Sequence, residues 1–211
     1  MLQKGVYKQM PVKLRVASGR YKGLPLSSPS GLNTRPTSSK VRAAVISMFA
    51  GDFQDASVLE LYAGTGSFGI LTLSEGASLC VFVEQDKKAL ASLRANVAAL
   101  KKRSKALGEE RPPSCMVAAQ DVLSLKSKGR GPFDFIFLDP PYHLAKEHLS
   151  ILWGFLKENL KEGGKIVIET ASTDEIFADE LINYGLVLER SRRYGKTRIS
   201  VVCHCLNGEK P

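Results

Sequence analysis

No acidic residue occurs in the first 51 positions of this 211-residue chain, although that stretch carries nine of its 30 Lys and Arg. The formal net charge of +9 therefore resides wholly in the first quarter, and the remainder is balanced. An excess confined to one segment suits a polyanionic partner, because each Lys or Arg that neutralises a phosphate releases counterions. Long apolar runs are missing too. No stretch approaches the ~18 residues of a membrane span, and no signal-type apolar run follows the basic start. A cytoplasmic protein without membrane attachment is predicted. Cysteine is scarce: Cys80, Cys115, Cys203 and Cys205 are scattered, mostly in apolar runs that read as strands. They are expected to be reduced, buried small hydrophobes rather than a disulfide framework. Cys203-His204-Cys205 mimics a metal clip, but alternate strand residues face opposite ways, which separates His204 from both thiols. No metal site is predicted.

With 44% hydrophobic and 24% charged residues, the composition is that of a globular chain long enough for one large domain plus an appendage. Segments 13–17 and 22–26, around Gly19 and Gly23, read as a small hairpin. After a proline-bounded loop at 29–36, Thr37 or Ser38 can cap a helix whose apolar positions Val41, Ala44, Val45, Met48 and Phe49 keep helical spacing, with Gly51 as its stop. Residues 1–51 are thus a basic N-terminal hairpin and helix, and residues 52–211 the main domain. There, strands at 57–61, 79–84, 115–118, 133–138 and 165–169 alternate with helices at 67–74, 86–105, near 122, 145–160 and 174–184. That alternation requires right-handed crossovers and a mainly parallel sheet covered on both faces. Two last strands, 186–192 and 197–205, have only four residues between them, Tyr194-Gly195-Lys196 included, and form an antiparallel hairpin. The predicted fold class is α/β, a doubly wound, Rossmann-like, mainly parallel seven-stranded sheet.

The first strand of the α/β region runs into Glu60-Leu61-Tyr62-Ala63-Gly64-Thr65-Gly66-Ser67-Phe68-Gly69, a G-x-G-x-x-G turn that opens a helix. Glu84 ends the next strand, 20 residues after Gly64, at the position from which a carboxylate can accept from both ribose hydroxyls. A nucleoside cofactor is implied, either a dinucleotide or S-adenosylmethionine. Glu60 favours the second. A carboxylate at that strand end would repel a pyrophosphate, whereas it can receive the ammonium of a methionine moiety, directly or through water.

An almost continuous apolar strand, 133–138, ends in Asp139-Pro140-Pro141-Tyr142. The prolines forbid continuation and stiffen the backbone, so the Asp139 carboxylate and Pro140 carbonyl are held at the carboxyl edge of the sheet, where open α/β sheets bind ligands. Two fixed acceptors and an aromatic face suit a planar group bearing an exocyclic NH2. The acceptors take both amino protons and aim the nitrogen lone pair, while Tyr142 stacks on the plane. The electrophile would be a sulfonium methyl, and no covalent nucleophile is needed. His143 and His148 then have no chemical task and read as helix-start and surface residues.

The ordered set Glu60, Gly64-Thr65-Gly66, Glu84, Asp121 and Asp139-Pro140-Pro141-Tyr142 resembles the S-adenosylmethionine-dependent amino-methyltransferases of the seven-stranded, class I fold. More narrowly, Gly19, Lys22-Gly23, Pro29, Thr34-Arg35-Pro36-Thr37, Val41-Arg42 and the Tyr194-Gly195-Lys196-Thr197 turn resemble the bacterial small-subunit ribosomal RNA guanine-N2 methyltransferase family, over nearly the whole chain. The resemblance implies methyl transfer to the exocyclic amine of one guanine in 16S rRNA, on a partly assembled small subunit, by a monomer. It implies Glu60, Gly64 and Gly66 for the methionine part, Glu84 for the ribose, Asp121 for the adenine amine, and Asp139, Pro140 and Tyr142 for the target base. Tyr62, Gln85, Val122 and Asp139 complete the candidate cofactor set. The basic start becomes an RNA-docking extension, with Arg15, Arg20, Lys22, Arg35 and Arg42 as candidate RNA contacts. The chain departs from many members at Ser67-Phe68 and Ile70-Leu71-Thr72 and has an extra basic lead at 1–12.

Other readings stay open. An adenine-N6 methyltransferase acting on DNA or RNA would use the same acceptors, since nothing in residues 139–142 reads the neighbouring N1. A dinucleotide-dependent oxidoreductase accounts for the glycines but leaves Glu60 and the Asp-Pro-Pro-Tyr element without a role. A catalytically silent RNA-binding module leaves both half-sites unexplained.

Overall fold

The computed structural model describes residues 14–29, 39–125, 131–176 and 178–205. Its strands are β1 (Ser57–Leu61), β2 (Leu79–Glu84), β3 (Ser114–Ala119), β4 (Phe133–Leu138), β5 (Leu160–Ala171), β6 (Leu186–Tyr194) and β7 (Thr197–His204). Its helices are α1 (Ser39–Met48), α2 (Ser67–Ser74), α3 (Lys87–Ala106), α4 (Ala145–Glu158) and α5 (Ala178–Ile182). One seven-stranded sheet has the order β3-β2-β1-β4-β5-β7-β6. The first five strands pair in parallel, and β7 runs antiparallel between β5 and β6. β1, β2 and β4 coincide with the expected strands because each is an apolar run buried on both faces. From β1 the chain winds outward through β2 and β3, then returns to place β4 on the other side of β1. The carboxyl ends of β1 and β4 thus form the switch point at which such sheets bind ligands.

One core unites α1, α2 and α3 with Val58, Phe82, Phe135, Phe137 and Val167; a second, on the opposite face, unites α4 and α5 with Leu59, Val81, Ile136 and Ile166. α3 starts where Asp86 accepts from the Lys88 and Ala89 amides (3.0 and 2.8 Å), a side-chain N-cap.

Three boundaries differ from expectation. β5 begins at Leu160, before Gly163 and Gly164, because Leu160 pairs with Phe133 and an irregularity in that ladder absorbs the glycines. α5 is five residues long: an Asp174 amide bond to the Ala171 carbonyl turns the chain first, and left-handed Gly185 ends the helix region. Among the described residues the N-terminal hairpin holds one bridge, Arg15 to Pro25, flanked by the Val16 amide on the Leu24 carbonyl (3.0 Å) and the Leu26 amide on the Leu14 carbonyl (2.8 Å), so the N–H that Pro25 lacks is one this pairing does not use. The expected Thr37 or Ser38 cap lies outside the described residues.

The described part of residues 1–51 shares the main core. Val16, Tyr21 and Leu26 are buried with Val41, Val45 and Phe49 against α2 and α3. The Arg20 and Tyr21 amides donate to the Ser74 carbonyl and hydroxyl (2.7 and 2.8 Å). At Gly19 a side chain would begin 2.2 Å from the Ser74 carbonyl oxygen, so only glycine permits that approach.

Candidate active site

Every expected cofactor residue with a carboxylate sits at the carboxyl edge of the sheet. Glu60 lies near the end of β1, Glu84 ends β2, and Asp121 follows β3. Glu84 accepts from the Gly64 amide (2.7 Å) through one oxygen and from the Gln85 and Asp86 amides (2.8 Å each) through the other. It thereby closes the glycine turn, and the oxygen that holds the Gly64 amide keeps a lone pair for a hydroxyl donor. Asp121 accepts from the Leu123 amide (3.1 Å), and Val122 beside it is buried. Gln85 is exposed.

Gly66 adopts φ +70°, and a Cβ there would meet Leu93 at 2.3 Å; at Gly69 one would meet the Glu60 carboxylate at 2.6 Å. α2 consequently starts flush against β1 and β2, and the Gly69 amide donates to Glu60 (2.9 Å). At Gly64, by contrast, a built Cβ meets nothing nearer than the Tyr62 carbonyl at 4.0 Å. This open cradle, flanked by carboxylates and the apolar Val122, fits a nucleoside that carries an ammonium tail. S-adenosylmethionine is such a molecule.

Glu60 is 6% exposed. Burial pushes its carboxyl up to about 8, and the nearby Asp139 adds to the rise, while the Gly69 and Phe68 amides and Arg42 oppose it. Asp139, just past β4, is exposed, and Pro140 is buried. Tyr142 is half-buried, its hydroxyl 3.5 Å from a Glu169 carboxylate oxygen and 3.3 Å from the Thr197 hydroxyl. Glu60 is paired with Phe137, and Phe137 with Val167. Alternation therefore sends Glu60, Asp139 and Glu169 to one face of the sheet, the face that α1 covers.

Arg42 of α1, a candidate RNA contact in the sequence, is placed inside the protein. It is 5% exposed, and its charge is felt by Glu169, Glu60 and Asp139. Among the described residues it is the buried basic side chain, and it offsets three carboxylates gathered at one sheet edge. The other candidate RNA residues are placed on the outside: Arg15 donates to the Gly23 carbonyl (2.8 Å), Arg20 reaches Glu109 (3.5 Å), and Lys22 is exposed. Arg35 lies outside the described residues.

Four side chains escaped the sequence reading. Glu169 was hidden because β5 shows its neighbour β4 only in three dimensions. His148 is not a surface residue: it is half-buried, stacks on Tyr62 and shares a 2.7 Å hydrogen bond with the Tyr62 hydroxyl. Tyr62 itself has φ +58° and is pushed up to about 12 by burial and by the charge of Asp121. Asn96 bonds the Thr65 carbonyl (2.9 Å) and Ser27 (2.6 and 3.0 Å), tying the glycine turn to the N-terminal segment. Glu109, just after α3, accepts from Tyr21 and Ser104. Among the described residues no group of three or more His, Cys, Asp or Glu could hold a metal ion, and His204 turns to the Leu160 carbonyl (3.1 Å).

The family model described as conserved hypothetical protein 95 matches residues 14–203. The chain belongs to this family. YlbH of Bacillus subtilis is 33% identical over 190 residues, 89% of this chain and 97% of the relative. The ribosomal RNA small subunit methyltransferase D of Haemophilus influenzae is 30% identical over 185 residues, 85% of this chain and 89% of the relative. Among solved structures, the yhhF protein of Escherichia coli matches with a TM-score of 0.70 at 22% identity, over 91% of this chain and 98% of that one, which shows the shared class I fold. As a member of the family, the chain is an S-adenosylmethionine-dependent methyltransferase, and the oxidoreductase and silent-module readings fall away.

Proposed function

We propose that the protein methylates the exocyclic N2 amine of a guanine in small-subunit (16S) ribosomal RNA, in the cytoplasm, on a partly assembled subunit. Ribosomal RNA methylation is the activity for which its relatives are named. The observation that carries the reading is the exposed Asp139, held by Pro140 and Pro141 at the end of β4, next to the strand whose glycine turn forms the cofactor cradle. S-adenosylmethionine supplies an electrophilic methyl on sulfur. Glu84 would hold its ribose, Asp121 its adenine amine, and Glu60 its ammonium. Asp139 and the Pro140 carbonyl accept the two N2 protons of guanine and turn the lone pair toward the methyl, while Tyr142 covers the base plane. Transfer would join the methyl carbon to N2 and leave the sulfur as a neutral thioether, and Asp139 would take the surplus N2 proton and pass it to water. Tyr142 is steadied by Glu169 and Thr197, and the Arg42 guanidinium opposes the rise that burial imposes on the Glu60 carboxyl. Incubating the enzyme with methyl-labelled cofactor and separately purified small-subunit RNA, large-subunit RNA and DNA tests the reading. Label is expected in the small-subunit RNA alone, and label in DNA would overturn it.

A further inference from the structure

The arginines expected to meet phosphate in the N-terminal extension are largely engaged within the protein: Arg15 with Gly23, Arg20 with Glu109, and Arg42 among carboxylates. The β6 edge of the sheet differs. β6 is the outermost strand on its side, and Arg190, Arg192 and Arg193 on it, with Lys196 in the turn that follows, are exposed. Among the described residues none of these four forms an ion pair; the neighbouring Glu189 pairs with Lys165.

Register decides which way they point. Arg190 is paired with Val201 and Arg192 with Ile199, while Arg193 is paired with Arg198. Directly paired residues share a face, and Val201 and Ile199 belong to the core beneath α1. On β5, Ile199 is paired with Glu169. Arg190 and Arg192 therefore lie on the same side of the sheet as Glu169, Asp139 and Glu60. Arg193 lies on the other side.

The turn between β6 and β7 is fastened to the acceptor site. The Thr197 hydroxyl is 3.3 Å from that of Tyr142, and the Lys196 carbonyl accepts from the Ser172 amide (2.9 Å). Tyr194, paired with Thr197, continues the row outward. Tyr142, Thr197, Tyr194, Arg192 and Arg190 thus form a path from the base site to the sheet edge. Its last two steps are cations about 7 Å apart, two strand residues, a spacing that successive phosphates of an extended nucleic-acid strand can match.

We propose that the β6 edge, through Arg190 and Arg192 with Lys196 at the turn, is a phosphate track that leads the RNA strand to Tyr142. The inference rests on the reading that the substrate is ribosomal RNA. Charged residues also protect edge strands from pairing with other chains, but either sign of charge does that. A unipolar row on the acceptor side favours a polyanion.

The test uses the full-length protein, with Arg190→Ala/Arg192→Ala, the corresponding double Lys variant, and Arg20→Ala/Lys22→Ala as a comparison. Binding of small-subunit ribosomal RNA is measured against salt, together with cofactor affinity, melting temperature and methyl transfer. Loss of two phosphate contacts should flatten the log–log salt slope by about 1.4 to 1.8 units. kcat/KM for RNA should fall with kcat at saturating RNA, cofactor affinity and melting temperature unchanged. The Lys variant should keep the slope, and the comparison variant should lose less of it. An unchanged slope in the Ala variant overturns the track and leaves the proposed function standing. A wild-type enzyme that binds RNA with a steep slope lost in the Ala variant, yet methylates none, overturns the function and leaves the track standing.

Discussion

Replacing Glu60 with Gln should stabilise the unliganded protein at alkaline pH while weakening its grip on the cofactor. Glu60 is buried, and its carboxyl is raised from an ordinary 4.5 to about 8, chiefly by burial, with Asp139 adding to the rise and Arg42 opposing it. Between those values the unfolded chain is ionised at this position and the native protein holds a proton. The native state then binds more protons, so stability falls as pH climbs from about 4.5 and levels off above about 8. A shift of that size corresponds to about 4 to 5 kcal/mol, at roughly 1.4 kcal/mol per pH unit. Gln keeps the carbonyl that the Gly69 amide needs but must house an NH2 where an oxygen stood, which leaves a net gain of about 2 to 4 kcal/mol at high pH. For a chain of this size that is roughly 5 to 15 °C in melting temperature. At pH near 4.5 the two proteins should melt together. S-adenosylmethionine affinity should drop by about 1 to 3 kcal/mol, the usual loss of a hydrogen bond to a charged partner. Melting curves that run parallel from about pH 5 to pH 9 would refute the reasoning.

Asp139→Ala should cost about 3 to 4 kcal/mol of barrier, roughly two to three decades in rate, with the cofactor dissociation constant nearly unchanged; single-turnover transfer and calorimetry check the two halves separately. Arg42→Met leaves three carboxylates without their shared cation and should destabilise the fold by about 3 to 5 kcal/mol in urea titrations, with Arg42→Lys recovering part of it. A neutral outcome would remove Arg42 from the site's electrostatics. Tyr21→Phe removes a donor to Glu109 (2.5 Å) and should lower stability by about 1 to 2 kcal/mol, read as a shifted urea midpoint with an unchanged slope.

Much of this architecture was readable in the chain because its signals are local. β1, β2 and β4 are apolar runs closed by a carboxylate, a glycine turn or prolines, and those closing residues carry the ligand chemistry. What escaped depends on partners distant in sequence. Glu169 acquires meaning only when β5 pairs with β4, and Arg42 looks like one more surface cation until α1 lays it across three carboxylates. Asn96 and Glu109 sit in or after a long amphipathic helix, where polar residues ordinarily face water, yet both hold the N-terminal segment to the main core. Gly163 and Gly164 imitate a loop, so the chain alone signals β5 only from Lys165. His148 has no chemical task that the sequence displays, and its pairing with Tyr62 follows from the packing of α4.

The most direct test is the identity of the methylated nucleoside. Small-subunit RNA is treated with the enzyme and methyl-labelled S-adenosylmethionine, digested to nucleosides and resolved by chromatography with mass spectrometry. N2-methylguanosine as the labelled product, absent with Asp139→Ala, is the predicted result. N6-methyladenosine, or label in no nucleoside, would contradict it.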